Sequence, residues 1–176
     1  MRATFKKRRL VWHVDHSFNG KTSRADAVAG ARASFALWQT AGVFEFVESP
    51  VINADLDILI NCGPVPEPGT SNVAAVARFY AGTPETEFAT ITFDHTERFV
   101  RDLAWWQFWR AGHDLDTILL HEIGHCLGFA HSHRRREIMF VHGVGAKFRQ
   151  ITTNEIAELQ RFYGALDHEP PTVIVI

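Results

Sequence analysis

Short apolar or alternating runs, bounded by Gly, Pro and Asn turn signals, predict strands over residues 10–14, 44–47, 56–60, 73–79 and 89–93. Between the first two the spacing becomes helical. Val28, Ala31, Phe35 and Trp38 recur three or four residues apart, behind a capping-box-like start at Ser23 and Asp26. Further helices are predicted over residues 116–127 and 153–162. The latter has Thr152 and Glu155 as a second capping box and Gly164 just past its end. The Pro-rich stretch 63–69 reads as a loop, and the whole pattern is that of an α+β domain with helices packed on a sheet.

Composition narrows this to one unit. With 176 residues, 46% of them hydrophobic, the chain fills one core and is too short for two ordinary domains. A formal net charge of −2 gives no electrostatic footprint for nucleic acid. The local run Lys6-Lys7-Arg8-Arg9, within a basic segment 1–9, reads as a solvated end, with a targeting patch or a processing site as alternatives. No apolar window reaches membrane-spanning length, and the N-terminus lacks the apolar core of a signal peptide; the sequence is either made without export or a mature form. Cys62 and Cys126 could pair, but Cys126 falls within a predicted helix, where a buried free thiol is the other state. The aromatic cluster Trp105, Trp106, Phe108 and Trp109 reads as a packing anchor, with cleft lining as the alternative. No role follows for the tail, residues 165–176.

Chemistry concentrates in the second predicted helix, where His121-Glu122-Ile123-Gly124-His125-Cys126-Leu127-Gly128-Phe129-Ala130-His131 spells HExxHxxGxxH. Residues four apart share a helix face, so His121 and His125 can present imidazoles to one metal ion. Glu122, next in sequence to one of them, can reach a metal-bound water without becoming a ligand. Gly128 tolerates positive φ, so the helix can end there and the chain can turn back to deliver His131 as third ligand. Three protein ligands leave one tetrahedral position open, the mark of a catalytic rather than a structural zinc. Met139, eight residues beyond His131, fits the Met-turn of the metzincin signature.

From His121 to Ser132 the chain resembles the matrixins, the matrix metalloproteinase branch of the metzincins, because Ser132 is the residue matrixins place after the third histidine. The resemblance extends to residues 54–58, 91–99, 114–118 and 153–164, and so covers about residues 10–164 as one catalytic domain. It implies a twisted, mostly parallel sheet of about five strands with three helices, the active-site helix being followed by a Met-turn subdomain. It also implies a monomeric zinc endopeptidase acting on protein or peptide substrates. Glu122 would be the general base, His121, His125 and His131 the zinc ligands, and Met139 a hydrophobic floor beneath them. Substrate would lie along the edge strand at Ala74, Ala75 and Val76, with Phe140 and Val141 at the main specificity pocket. The family is extracellular, whereas the compartment of this chain is left open by its N-terminus.

Several departures set this chain apart. Phe140-Val141-His142-Gly143 stands where matrixins carry Pro-x-Tyr, so a hydrophobic but broader preference is expected after the scissile bond. Asn61-Cys62-Gly63-Pro64 faintly resembles a cysteine switch, yet it lies inside the catalytic domain. Asn154-Glu155 replaces the two aspartates of the C-terminal helix. The family's second, structural zinc loses its ligands: residues 62–71 hold no His or Asp, and Ala77 and Thr92 occupy the strand positions. One catalytic zinc per chain is therefore expected. Asp94 and Glu97 remain at calcium-binding positions but fall short of the six to eight oxygens calcium takes, so the calcium requirement is left open. A zinc-binding recognition domain without turnover and a zinc hydrolase of a non-peptide bond are the other two classes. Retention of Glu122 argues against the first.

Overall fold

In the computed structural model, which describes residues 5–18, 20–65, 73–80, 87–101, 112–140 and 150–165, the first helix starts where the capping pattern puts it. Helix α1 (Arg24–Gln39) has Ser23 as N-cap, its hydroxyl accepting from the Asp26 N–H. Its buried stripe includes Ala27, Ala31, Phe35 and Trp38, while Val28 is half-buried at the margin.

The sheet has strands β1 (Arg9–Val14), β2 (Glu45–Glu48), β3 (Ile58–Gly63), β4 (Ala75–Tyr80) and β5 (Phe88–Asp94), in the order β2-β1-β3-β5-β4. Every pairing is parallel except β4 with β5, so the outermost strand beside the helices runs antiparallel. The expected strands are present with shifted ends. Leu56 and Asp57 precede β3 because Asp57 bonds to β1 differently: its N–H donates to the Val11 carbonyl (2.8 Å), and its carboxylate accepts from the Val11 N–H (2.8 Å). Apolar pattern reports burial, whereas strand limits report pairing.

A two-stranded parallel ladder, β6 (Phe99–Val100) with β7 (His113–Asp114), is too short to register in the apolar pattern. It delivers Asp114 as N-cap of α2 (Leu115–Cys126), accepting from the Thr117 N–H at 2.8 Å. Helix α2 is buried on nearly all sides, between α1, β4 and β5. Trp12 stacks on Phe35 with centroids 4.7 Å apart, and the Trp38 indole N–H donates to the Leu120 carbonyl (2.9 Å), so α1 is fastened both to the sheet and to α2. Helix α3 (Thr153–Tyr163) carries the predicted capping box, and Gly164 ends it at φ 81°.

The basic run is built into this fold. Phe5 is buried edge-to-face on Phe79, the Lys7 ammonium meets the Asp57 carboxylate at 2.6 Å, and the Arg8 guanidinium lies over the Phe44 and Tyr163 rings while donating to the Tyr163 carbonyl. Cys62 and Cys126 are both free thiols. Among the described residues no helix is long and apolar enough to cross a membrane. The Trp105, Trp106, Phe108 and Trp109 cluster, Val141, His142, Gly143 and residues 66–72 and 166–176 lie outside the described residues.

Candidate metal centre and catalytic carboxylate

The site is assembled by the end of α2 and the two segments that fold back on it. After Cys126 the chain closes a Schellman turn: the Gly128 N–H donates to the His125 carbonyl and the Phe129 N–H to the Gly124 carbonyl, both at 3.0 Å. Gly128 makes this possible with φ 95°. The turn sends residues 129–131 back along the helix, and the Phe129 carbonyl, brought round by it, accepts from His125 Nδ1 at 2.9 Å. His121 Nδ1 similarly donates to the Ile138 carbonyl at 2.7 Å. Carbonyls only accept, so both rings are fixed as Nδ1–H tautomers and each keeps an Nε2 lone pair for a cation. Burial lowers the pKa of His125, the Phe129 carbonyl opposes that, and the neighbouring His131 adds to it.

The ligand nitrogens of His121, His125 and His131 all lie within 4.8 Å of one another, and the Nε2 atoms of His125 and His131 are 3.2 Å apart. Zinc–nitrogen bonds of about 2.0–2.1 Å at tetrahedral angles put neighbouring nitrogens about 3.3–3.4 Å apart. The His125–His131 pair matches that spacing, and all three imidazoles are close enough to share one metal ion, with His121 buried at the back and His131 exposed at the mouth.

Glu122 sits beside this cluster, 6% exposed. Burial pushes its pKa up to about 8, against a main-chain hydrogen bond from Ala77 that favours the carboxylate. A carboxyl so placed can take or hold a proton at neutral pH. Cys126 is inert by comparison, its thiol pushed far up by burial and then by the Glu122 charge.

Met139, 1% exposed, lies under α2 at Gly124, where any Cβ would collide with its Sδ and come within 3.1 Å of Trp38. The peptide unit joining Ile138 to Met139 is bonded at both ends. Its C=O accepts from His121, and its N–H donates to Glu155 Oε1 at 3.1 Å. Glu155 is buried, and its other oxygen accepts from the Thr152 N–H (2.8 Å) and hydroxyl (2.9 Å) to complete the α3 cap. One carboxylate therefore ties α3 to the segment that orients a metal-site histidine. Ser132 bridges to Phe140, its N–H donating to the Met139 carbonyl at 2.6 Å.

Strand β4 forms the open rim above Glu122. Because the Asp94 N–H donates to the Ala74 carbonyl (2.9 Å), the antiparallel register turns the main-chain groups of Ala74 and Val76 toward β5 and those of Ala75 and Ala77 toward the free edge. The three expected residues are together, but only Ala75 aims its backbone into the cleft. Phe140 is half-buried beside Ser132, and Val141 lies outside the described residues.

Sequence reasoning named Ala77 only as an edge-strand position and missed its bond to Glu122, which requires the strand register, and it missed the Glu155 anchor, of which only the capping-box half is a local signal. It also missed Glu137, buried inside the loop after His131, where it accepts from the Ser132 hydroxyl and from Arg134 (3.0 Å).

A family model described as Matrixin matches residues 4–164. Matrix metalloproteinase-23 of Bos taurus is 29% identical over 157 residues, covering 82% of this chain and 39% of that protein. Karilysin of Tannerella forsythia is 30% identical over 149 residues, covering 81% of this chain and 29% of that protein. The chain thus spans two fifths or less of the length of these relatives.

Proposed function

The chain belongs to the matrixin family, and on that premise we propose that it is a zinc-dependent endopeptidase in which His121, His125 and His131 hold the ion and Glu122 is the general base. What carries this proposal is the pairing of three imidazoles close enough to share one metal ion with a buried carboxyl that is not among them. Zinc in that cluster supplies Lewis acidity, bringing the pKa of a water from about 15.7 toward about 7 and polarising a scissile carbonyl. Glu122 would take a proton from the attacking water and afterwards give it to the nitrogen that leaves as the C–N bond breaks, so one carboxyl would serve both halves of the reaction. Its ordinary pKa would make it a poor proton donor at pH 7; burial in the wall below β4 corrects this.

Positioning comes from the chain's own backbone. An extended substrate pairs with the free edge of β4, meeting the main chain of Ala75 and the carbonyl of Ala77, whose N–H is already held by Glu122. Main-chain pairing ignores sequence, so selectivity falls to the pocket beyond Met139 that begins at Phe140 and Val141.

Digestion of casein or gelatin by the purified protein, with chelator and with zinc restored, tests the assignment. Glu122→Ala should retain zinc and lose hydrolysis by about 100-fold or more, whereas His125→Ala should lose both. Undiminished hydrolysis by Glu122→Ala would remove Glu122 from the mechanism.

A further inference from the structure

The loop that follows the third histidine is rooted at both ends on the metal centre. At one end Ser132 adjoins His131; at the other Ile138 accepts from His121, and the Ser132 N–H to Met139 carbonyl bond closes the base. Inside, the loop is stiffened by polar bonds. The Arg134 N–H donates to the Ser132 hydroxyl (3.0 Å), the Glu137 N–H donates to the Arg134 carbonyl (3.0 Å), and the Glu137 carboxylate takes both the Ser132 hydroxyl and the Arg134 guanidinium. Glu137 thereby cancels the charge of Arg134. Arg135 and Arg136 remain, both exposed, and neither makes an ion pair among the described residues.

The nearby acids do not neutralise them. Glu155 is buried and spent on backbone and cap, and Glu158, across the roughly 360 Å³ cavity between this loop and α3, has its own interaction. A chain of formal charge −2 thus presents two uncompensated positive charges at the tip of a braced loop beside its metal centre. Three Cα–Cα steps separate Arg135 from Ser132 and Arg136 from Met139, so each lies at most about 11 Å from the loop base. An extended substrate advances about 3.3 Å per residue, so a substrate that leaves the site past the exposed His131 and runs toward this loop would bring side chains about three to five residues from the scissile bond to the arginines.

We propose that Arg135 and Arg136 form a cationic rim that makes acidic peptide segments, with carboxylates about three to five residues from the cleaved bond, the favoured substrates of this site. This rests on the peptidase assignment above and deepens it. Binding there is made by solvent-exposed charges, so it acts through capture of substrate and weakens with salt on the scale of a Debye length of about 8 Å at physiological ionic strength.

The test uses two matched fluorogenic peptides, one with Glu and one with Gln at positions three to five residues from the scissile bond on either side. They are cleaved by the zinc-loaded wild type and by Arg135→Ala/Arg136→Ala. At about 50 mM salt the wild type should prefer the Glu peptide by about three- to tenfold in kcat/KM, the range expected of two exposed ion pairs. That preference should collapse in the double variant and at about 500 mM salt, with Gln-peptide cleavage and zinc content unchanged. A preference that survives the double variant, or that ignores salt, overturns the proposal. Failure of the wild type to cleave either peptide or casein counts against the peptidase assignment instead. In that case fluorescence anisotropy of the labelled peptides on the same two proteins decides the rim alone: equal affinity for Glu and Gln peptides refutes it, and a salt-sensitive Glu preference lost in the variant sustains it.

Discussion

Glu122 imposes a cost on the metal-free fold that a single substitution should reveal. Its carboxyl ionises at about 4.5 in the unfolded chain and at about 8 in the folded one, raised chiefly by burial. The folded state therefore binds more protons between these values, and stability falls as pH rises. The contribution is fully present below about pH 4.5 and is lost as pH climbs through about 8. Integrating the two titrations gives a loss on the order of 3–4 kcal/mol between pH 5 and pH 8, out of a typical domain stability of about 5–15 kcal/mol. Glu122→Gln keeps the shape and removes the titration, so the chelated variant should gain on the chelated wild type by about that amount over this interval.

Urea unfolding of both proteins in excess chelator at pH 5 and pH 8 measures the difference, and all other titrating groups cancel in the comparison. Restoring zinc should shrink it, because a divalent cation facing the carboxyl favours its ionised form. Parallel pH profiles for wild type and Glu122→Gln without metal would refute the reasoning, since the carboxyl would then ionise alike in both states.

Gly124→Ala should destabilise the protein by about 1–3 kcal/mol and weaken zinc binding, because the added Cβ displaces Met139 from beneath α2; thermal melts and chelator competition check this. Glu155→Gln keeps one acceptor where two are used, so either the Met139 N–H or the Thr152 N–H faces an amide NH2 at a cost of about 1–2 kcal/mol, whereas Glu155→Ala leaves both without their carboxylate, for about 2–4 kcal/mol by urea unfolding. Elemental analysis should find one zinc per chain, since Ala77 and Thr92 offer no ligand and Asp94 and Glu97 are already engaged by Thr96 and His113. Two tightly held zinc ions would show that assignment to be wrong.

What was legible in the chain divides by the range of the interactions involved. Spacing alone placed the histidines and Glu122, because a helix fixes the relative positions of residues four apart, and the Gly128 turn is a local event within six residues. The Ser23 cap and the Thr152–Glu155 capping box located α1 and α3 for the same reason. Register was not legible: whether Ala74 or Ala75 faces the cleft depends on which carbonyl meets Asp94, twenty residues away in sequence. Nor was the brevity of β6 and β7, whose two-residue lengths carry no period.

The Glu155 anchor shows why such residues escape a sequence reading even when their local role is plain. Its capping box uses one oxygen and is visible as Thr152 followed three residues later by Glu155. The other oxygen meets a peptide sixteen residues back, and nothing in the pattern of either segment announces that contact. Yet that peptide also accepts from His121, so a carboxylate on α3, a main-chain amide and an imidazole form one continuous line of hydrogen bonds ending at the metal-facing Nε2. Each bond polarises the next, and a negative end at Glu155 makes the Ile138 carbonyl a stronger acceptor and the His121 ring a better donor of its lone pair. On the proposed zinc assignment, this line would couple the capping of the last helix to the strength of His121 as a ligand. The coupling needs the carboxylate in particular: Glu155→Gln, folded though less stable, should bind zinc more weakly than the wild type, and equal zinc affinity of the two proteins would reduce the line to a structural brace.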